Sequence, residues 1–313
     1  MPPMPLTVAF PRSIRSDRAG FSWLAEVGSL LHEQQGATIA FSDRNLQWFD
    51  SNLCSPLGAL LYQAQLGGSS ILLDAPGPIL GAWSRNGFAY AFGGGDMIDT
   101  FDTTLIYQRF ERQHERRFAA YVQRELMPKD IPKMTPPARR QFERNLQEIF
   151  NNAVNHAASE RGVFSCGQFF PHKNYINFTV CDLGVGFRLN AHRKTGQALS
   201  ATQAISWASQ DGHTSRTGAI PGGLGLGLLR EFVLRNRGSL QIVSEDGYWL
   251  FDARGEHSWE LKQAFPGTFV NLRIMTNDES LYKAAGEVDA GVEEAAAEDD
   301  IDIFGPSPKI EAQ

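Results

Sequence analysis

The chain has 313 residues, of which 42% are hydrophobic and 20% charged, and its formal net charge is -6. This composition excludes a wholly disordered chain, and the length predicts more than one domain. The acidic balance gives no general electrostatic footprint for nucleic acid, and no apolar run is long enough to span a bilayer. We therefore expect a cytoplasmic protein that binds neither nucleic acid nor membrane.

Short apolar strands alternate with helical periods over the first hundred residues. Strands are predicted at 6–10, 37–41 and 70–73, and helices at 20–34 and 49–65. This alternation is typical of a small α/β unit. We place the unit at residues 1–97, which end just after a run of three glycines.

The next segment, 98–138, is predicted to be a helical linker. Its apolar and aromatic positions between Phe101 and Met127 recur at the spacing of an amphipathic helix, and prolines follow them. Such a helix could transmit a change of state or mediate homodimerisation. Its arginines are interpreted as a solvated helix face; they are Arg109, Arg112, Arg116, Arg117 and Arg124.

A second α/β domain is predicted at 139–278. It begins with a helix from Pro137 through Val154, continues with a hairpin of strands at 162–170 and 175–181, and contains a late strand at 268–274. The remaining residues, 279–313, are rich in Glu, Asp and Ala and are predicted to be a disordered tail. The three cysteines, which show neither metal-ligand spacing nor a disulfide framework, are predicted to be reduced core residues; they are Cys54, Cys166 and Cys181.

Three motifs in this second domain carry candidate chemistry. In the first, Glu148, Asn152 and His156 stand four residues apart and share one helix face. An amide oxygen can serve as a ligand to Mg²⁺, which keeps several waters and bridges substrate phosphates. The same spacing also fits a helix whose polar residues face solvent.

In the second motif an apolar strand delivers Asp182 into a turn that contains Gly184 and Gly186. A carboxylate there can accept a hydrogen bond from the exocyclic amine of adenine, which the carbonyl of guanine cannot replace. A plain Asp-Gly turn is the alternative.

The third motif has glycines at 222, 223, 225 and 227 and runs into an apolar helix. Backbone N–H groups and the positive end of a helix dipole favour phosphate. The motif is not a Walker loop, because no Gly-Lys-Ser or Gly-Lys-Thr follows the glycines. It is not a dinucleotide fingerprint either, because the spacing of its glycines differs.

In this order, the asparagine-bearing helix, the Asp-x-Gly-x-Gly turn and the second glycine motif resemble the GHKL superfamily of ATPases and kinases, whose nucleotide domain is the Bergerat fold. The resemblance covers roughly 140–275 and implies an α/β sandwich that binds ATP and Mg²⁺. By this resemblance Asn152 binds the metal, Asp182 reads adenine, Glu148 is the candidate general base, and 187–220 form a lid. The other cofactor-binding residues it implies are His156, Gly184, Gly186, Gly223, Gly225, Gly227 and Thr268.

The N-terminal segment Leu46–Leu61 resembles the strand-Asp-Ser-helix element of STAS domains. In that family a serine at the helix start accepts phosphate from a GHKL kinase, so Ser51 and Ser55 are the candidate acceptors; the favoured alternative for Ser51 is a plain helix cap. Together the two resemblances predict an ATP-binding regulatory protein that hydrolyses ATP slowly or phosphorylates a serine of a STAS-type partner. A non-catalytic, nucleotide-dependent binding module is the alternative.

Overall fold

The protein is a mixed α/β fold. The computed structural model describes residues 5–42, 46–74, 77–94, 96–97, 99, 101–155, 161–210, 224–284, 287 and 301–302. The strands are β1 (Leu6–Val8), β2 (Ser13–Ile14), β3 (Thr38–Ser42), β4 (Trp48–Phe49), β5 (Ser70–Asp74), β6 (Thr104–Phe110), β7 (Val163–Phe170), β8 (Tyr175–Asp182), β9 (Ser239–Asp252), β10 (Gly255–Met275), β11 (Tyr282–Lys283) and β12 (Ile301–Asp302). The α-helices are α1 (Arg18–Glu33), α2 (Cys54–Leu66), α3 (Gly77–Arg85), α4 (Phe88–Ala91), α5 (Glu115–Tyr121), α6 (Pro136–Asn155), α7 (Gly186–Thr195), α8 (Ala201–Ser209) and α9 (Leu224–Asn236).

The N-terminal part forms a three-stranded parallel sheet in the order β1-β3-β5, with α1 and α2 as the crossover helices. The predicted strands and helices of this part are confirmed. Asp17 caps α1, because its side chain accepts a hydrogen bond from the Gly20 N–H at 3.0 Å. A Cβ at Gly20 would lie 2.0 Å from the Arg15 carbonyl oxygen, so this helix start requires glycine.

The C-terminal part is built on a five-stranded antiparallel sheet in the order β6-β7-β8-β10-β9. The predicted helix at 137–154 is confirmed as α6, and the predicted hairpin is confirmed as β7 and β8. In contrast, the sequence patterns did not identify β9, and they identified only the second half of β10. These two strands form a long hairpin whose far end extends beyond Asp182.

The predicted helical linker at 98–138 is wrong. Its first part is the edge strand β6, which pairs with β7, and the helix α5 begins only at Glu115. The segment Thr104–Phe110 is rich in β-branched and aromatic residues, which favour a strand. Leu105 and Phe110 are both fully buried although they are five residues apart, because a β-bulge between Leu105 and Gln108 brings them to the same face of the strand. The bulge interrupts the two-residue alternation that would have revealed the strand.

The five-stranded sheet is covered on both faces. One core contains α1, α2 and sheet residues such as Cys181, and the other contains α5, α6, α9 and sheet residues such as Val180. All three cysteines are buried free thiols, as the sequence predicts. The N-terminal part therefore shares its core with one face of the C-terminal sheet, and α1 and α2 lie between the two sheets.

The disordered tail is predicted to begin at residue 279, but the described structure continues to Ala284. Tyr282 is fully buried, and its ring packs against Phe232 of α9 at 5.6 Å. Beyond Ala284 only Glu287 and the short strand β12 belong to the described residues. Among the helices that the structure describes, none has both the length and the apolarity needed to cross a bilayer.

Candidate functional site

Asp182 is the last residue of β8 and is only 5% exposed. Side chains alternate along a strand, so Asp182 lies on the same face as Val180, the face covered by α6 and α9. Its Oδ1 accepts a hydrogen bond from the Gly184 N–H at 2.8 Å. Burial nevertheless raises the pKa of the Asp182 carboxyl to about 7, against the opposing effect of that hydrogen bond. Among the residues that the structure describes, no second donor compensates for the burial of this carboxylate.

Thr268 lies directly opposite Asp182 in the neighbouring strand β10. A Cβ at the preceding residue, Gly267, would lie 2.1 Å from the Asp182 carbonyl oxygen, so only glycine permits this approach. The Thr268 hydroxyl is 2.9 Å from the Ser244 hydroxyl of β9. The structure therefore brings Asp182 and its glycine turn together with Thr268, another predicted cofactor-binding residue, at one point of the sheet.

The turn after Asp182 is held by β9. Gly186 has a φ of 75°, and a Cβ there would lie 2.9 Å from the Glu245 carboxylate. The Phe187 N–H donates to Ser244 Oγ at 3.1 Å, and the Arg188 N–H donates to Glu245 Oε2 at 3.2 Å. These contacts satisfy N–H groups of the first turn of α7. Ser244 and Glu245 went unnoticed in the sequence because β9 was not predicted.

Glu148 and Asn152 are half-buried on α6. The last turn of α6 precedes β7, whose first residue, Val163, pairs with Asp182. The C-terminal end of α6 and Asp182 therefore lie at the same end of the sheet. The third residue of this predicted face, His156, lies outside the described residues.

The helix α9 brings the second glycine motif to this same end. Its C-terminal residue Asn236 donates to the Met275 carbonyl at 3.0 Å, at the end of β10 that is far from Thr268. Because Phe232 packs on Phe142 of α6 at 4.7 Å, the two helices run antiparallel and α9 begins near the end of α6. Gly225 and Gly227 lie within the first turn of α9, while Gly223 lies outside the described residues.

The predicted lid contains two helices in its described part. Helices α7 and α8 pack against each other and against β9, and residues 211–220 lie outside the described residues. Arg188, near the start of the predicted lid, forms an ion pair with Glu245 at 2.8 Å. In the part of the lid that the structure describes, this arginine is thus engaged within the protein.

The structure does not support Ser51 and Ser55 as phosphoacceptors. Both residues are fully buried between the N-terminal part and the five-stranded sheet. The Ser55 hydroxyl donates to the Phe164 carbonyl of β7 at 2.9 Å, and the Ser51 N–H donates to Gln168 Oε1 at 2.7 Å. A kinase could reach neither hydroxyl in this conformation. The sequence could not reveal this burial, because the covering strand is more than a hundred residues away.

Comparison of the chain with protein-family models, with curated proteins and with solved structures found no match.

Proposed function

We propose that the chain is an ATP-binding regulatory protein of the histidine-kinase-like (GHKL) class and that its adenine site is built on Asp182. The observation that carries this proposal is a buried carboxylate with a raised pKa, opposite a Gly-Thr element and next to a glycine turn. The exocyclic amine of adenine is a hydrogen-bond donor of the kind this carboxylate lacks. Guanine would present a carbonyl acceptor there, so selectivity for adenine follows.

The antiparallel pair of α6 and α9 supports the placement of the phosphates. The first turn of α9 carries N–H groups that have no acceptor within the same helix, together with the positive end of the helix dipole, and it begins near the C-terminal end of α6. Asn152 would hold Mg²⁺ through its amide oxygen, and the ion would neutralise phosphate charge. Glu148, one turn earlier on the same helix, is placed to orient and deprotonate a water.

The destination of the phosphoryl group is water or a serine of another protein. The chain's own Ser51 and Ser55 are buried on the opposite face of the sheet from Asp182, so self-phosphorylation at these positions is disfavoured. We propose slow hydrolysis of ATP or transfer to a STAS-type partner, with the STAS-like N-terminal part providing a surface for regulation. A homodimer is compatible with slow hydrolysis and with transfer to a partner.

Calorimetric titration with ATP, ADP and GTP in the presence of Mg²⁺ tests the nucleotide site. We expect binding that is selective for adenine and that weakens at least about tenfold in Asp182→Asn, because a neutral amide oxygen accepts a weaker hydrogen bond than an ionised carboxylate and the amide NH2 opposes the amine of adenine in the other orientation. Asp252→Asn is the matched control, since Asp252 lies at the exposed hairpin end and pairs with Arg254. ATP affinity that is unchanged in Asp182→Asn would overturn the proposal.

Glu148→Ala separates an ATPase or kinase from a non-catalytic module. If Glu148 orients the attacking water, turnover of ATP should fall by about a hundredfold or more while binding is retained. Glu143→Ala on the same helix is the control. Nucleotide binding without turnover or phosphotransfer in the wild-type protein would favour the alternative function, a nucleotide-dependent binding module.

A further inference from the structure

A cavity of about 210 Å³ lies between the last turns of α1 and α2. It is on the face of the five-stranded sheet opposite Asp182, and Pro266 of β10 forms part of its wall. A volume of this size is many times what one water needs. Its lining includes Leu31 and Gln35 at the end of α1, Leu60 and Gln63 from α2, and Arg161 before β7.

Two kinds of polar group line this cavity. The Gln63 Oε1 atom is buried and has no hydrogen-bond partner among the described residues, so it is an acceptor without a donor. Arg161 brings a guanidinium group and His32 an imidazole, and none of the described lining residues is an aspartate or a glutamate. Since a buried acceptor and a cation each favour a partner of opposite character, a complementary ligand carries both a donor and an anionic group.

The two helices strengthen the preference for a positively charged donor near Gln63. Helix α1 ends at Glu33 and α2 at Leu66, and the cavity is lined by Gln35, two residues after the first end, and by Gly67, directly after the second. The C-terminal end of a helix carries a partial negative charge, which favours a cation. Leu31 and Leu60 provide an apolar wall of limited area beside these groups.

We propose that this cavity is a binding site for a free α-amino acid with a small or medium apolar side chain. The ammonium group donates to Gln63 Oε1 near the two helix ends, the carboxylate pairs with Arg161, and the side chain contacts Leu31 and Leu60. The site is separate from the nucleotide site, and the proposal does not depend on ATP binding. Through Pro266 it adjoins the Gly267-Thr268 element of β10.

Calorimetry with the full-length protein, without nucleotide, tests the proposal. L-alanine, L-valine, L-leucine and L-methionine are the probes, and at least one should bind. For the amino acid that binds, the N-acetyl derivative removes the ammonium group and the amide derivative removes the carboxylate, and each should bind at least about tenfold more weakly. Absence of binding by all four amino acids, or equal binding of the N-acetyl derivative, would overturn the assignment.

Two variants locate the binding within the cavity. Gln63→Leu removes the unpaired acceptor, and Arg161→Gln removes the positive charge but keeps the backbone carbonyl that accepts from Arg109 Nε at 2.8 Å. Each should lower the affinity for the amino acid at least about tenfold. Gln65→Leu and Arg140→Gln change exposed residues of the same types and should bind as the wild type does. Wild-type affinity in both cavity variants would show that binding occurs elsewhere and would contradict the proposal.

Discussion

Two buried polar groups lie on opposite faces of the same five-stranded sheet, and they differ in how well they are hydrogen-bonded. On the face covered by α1 and α2, Asn52 is fully buried. Its side-chain amide donates to Ser16 Oγ, Thr179 Oγ1 and Asn271 Oδ1, each within 3.1 Å. On the face covered by α6 and α9, one backbone N–H donates to Asp182, and the pKa of this carboxyl remains raised.

This difference is the one we expect between a structural polar group and one that accepts a hydrogen bond from a ligand. Asn52 belongs to a network that joins the N-terminal part to β8 and β10, and every contact it makes is internal to the protein. A satisfied network of this kind stabilises one arrangement of packed elements. The under-satisfied carboxylate of Asp182 costs stability instead, as is usual where a ligand supplies the missing partner.

The largest expected effect is the loss of unfolding free energy caused by the buried carboxylate of Asp182 as pH rises. Its folded-state pKa of about 7 lies above the ordinary aspartate value of 3.8. The folded protein therefore binds more protons than the unfolded chain between these values, and stability falls as pH rises through them. Relative to Asp182→Asn, the wild type should lose up to roughly 4 kcal/mol of unfolding free energy between about pH 4 and pH 7 and no more above that.

Urea unfolding of both proteins across this pH range measures the difference, because the contributions of other groups cancel. The ordinary pattern for a stabilised carboxylate is the reverse, a wild type that gains stability as pH rises. That pattern would show that Asp182 is compensated in the folded state, and the contrast with Asn52 would disappear.

The next largest effect on unfolding free energy is expected from the hydrogen-bond network around Asn52. Asn52→Leu keeps a similar volume but leaves Ser16, Thr179 and Asn271 without the amide that they contact. Because buried polar groups without partners cost about 1–3 kcal/mol each and the network can partly rearrange, we expect a loss of about 3 kcal/mol in unfolding free energy. Chemical denaturation measures it. Asn151→Leu, at a partly exposed position of α6, should change stability by less than about 0.5 kcal/mol.

A smaller effect follows from the protonation of Asp182. If the ionised carboxylate accepts the amine of adenine, affinity should rise about tenfold from pH 6 to pH 8, since the pKa of about 7 lies between these values. Adenosine is the suitable probe because it carries no phosphate that titrates in this range. Affinity measured by calorimetry that stays constant over this interval would mean that adenine does not contact the ionised group.

The smallest effect is expected at an exposed contact near the same site. The Arg188 side chain is 41% exposed and pairs with Glu245, which is 21% exposed. Solvent screens such pairs, so Arg188→Ala should lower the unfolding free energy by less than about 1 kcal/mol. A loss above about 2 kcal/mol in denaturant titration would contradict this expectation. It would show that the start of α7 depends on the Arg188 side chain as strongly as the packing of the N-terminal part on β8 and β10 depends on Asn52.

The sequence by itself determined most local elements of this protein. The positions of α1, α2 and α6 and of the hairpin β7–β8 follow from periodicity, proline and turn residues, all of which act over a few neighbouring residues. The placement of Asp182 at the end of an apolar strand, and of Gly186 at a positive φ, follows from the same kind of signal.

Only the tertiary structure decided which elements meet. The strand β6 reads as part of a helix because a β-bulge between Leu105 and Gln108 interrupts its two-residue alternation. The strand β9 supplies Ser244 and Glu245 from about 60 residues beyond the turn that they hold. The burial of Ser51, Ser55 and Asn52 likewise depends on a sheet formed more than a hundred residues later. Burial and hydrogen bonding between distant segments leave no periodic pattern in the chain, so they could not be predicted from it.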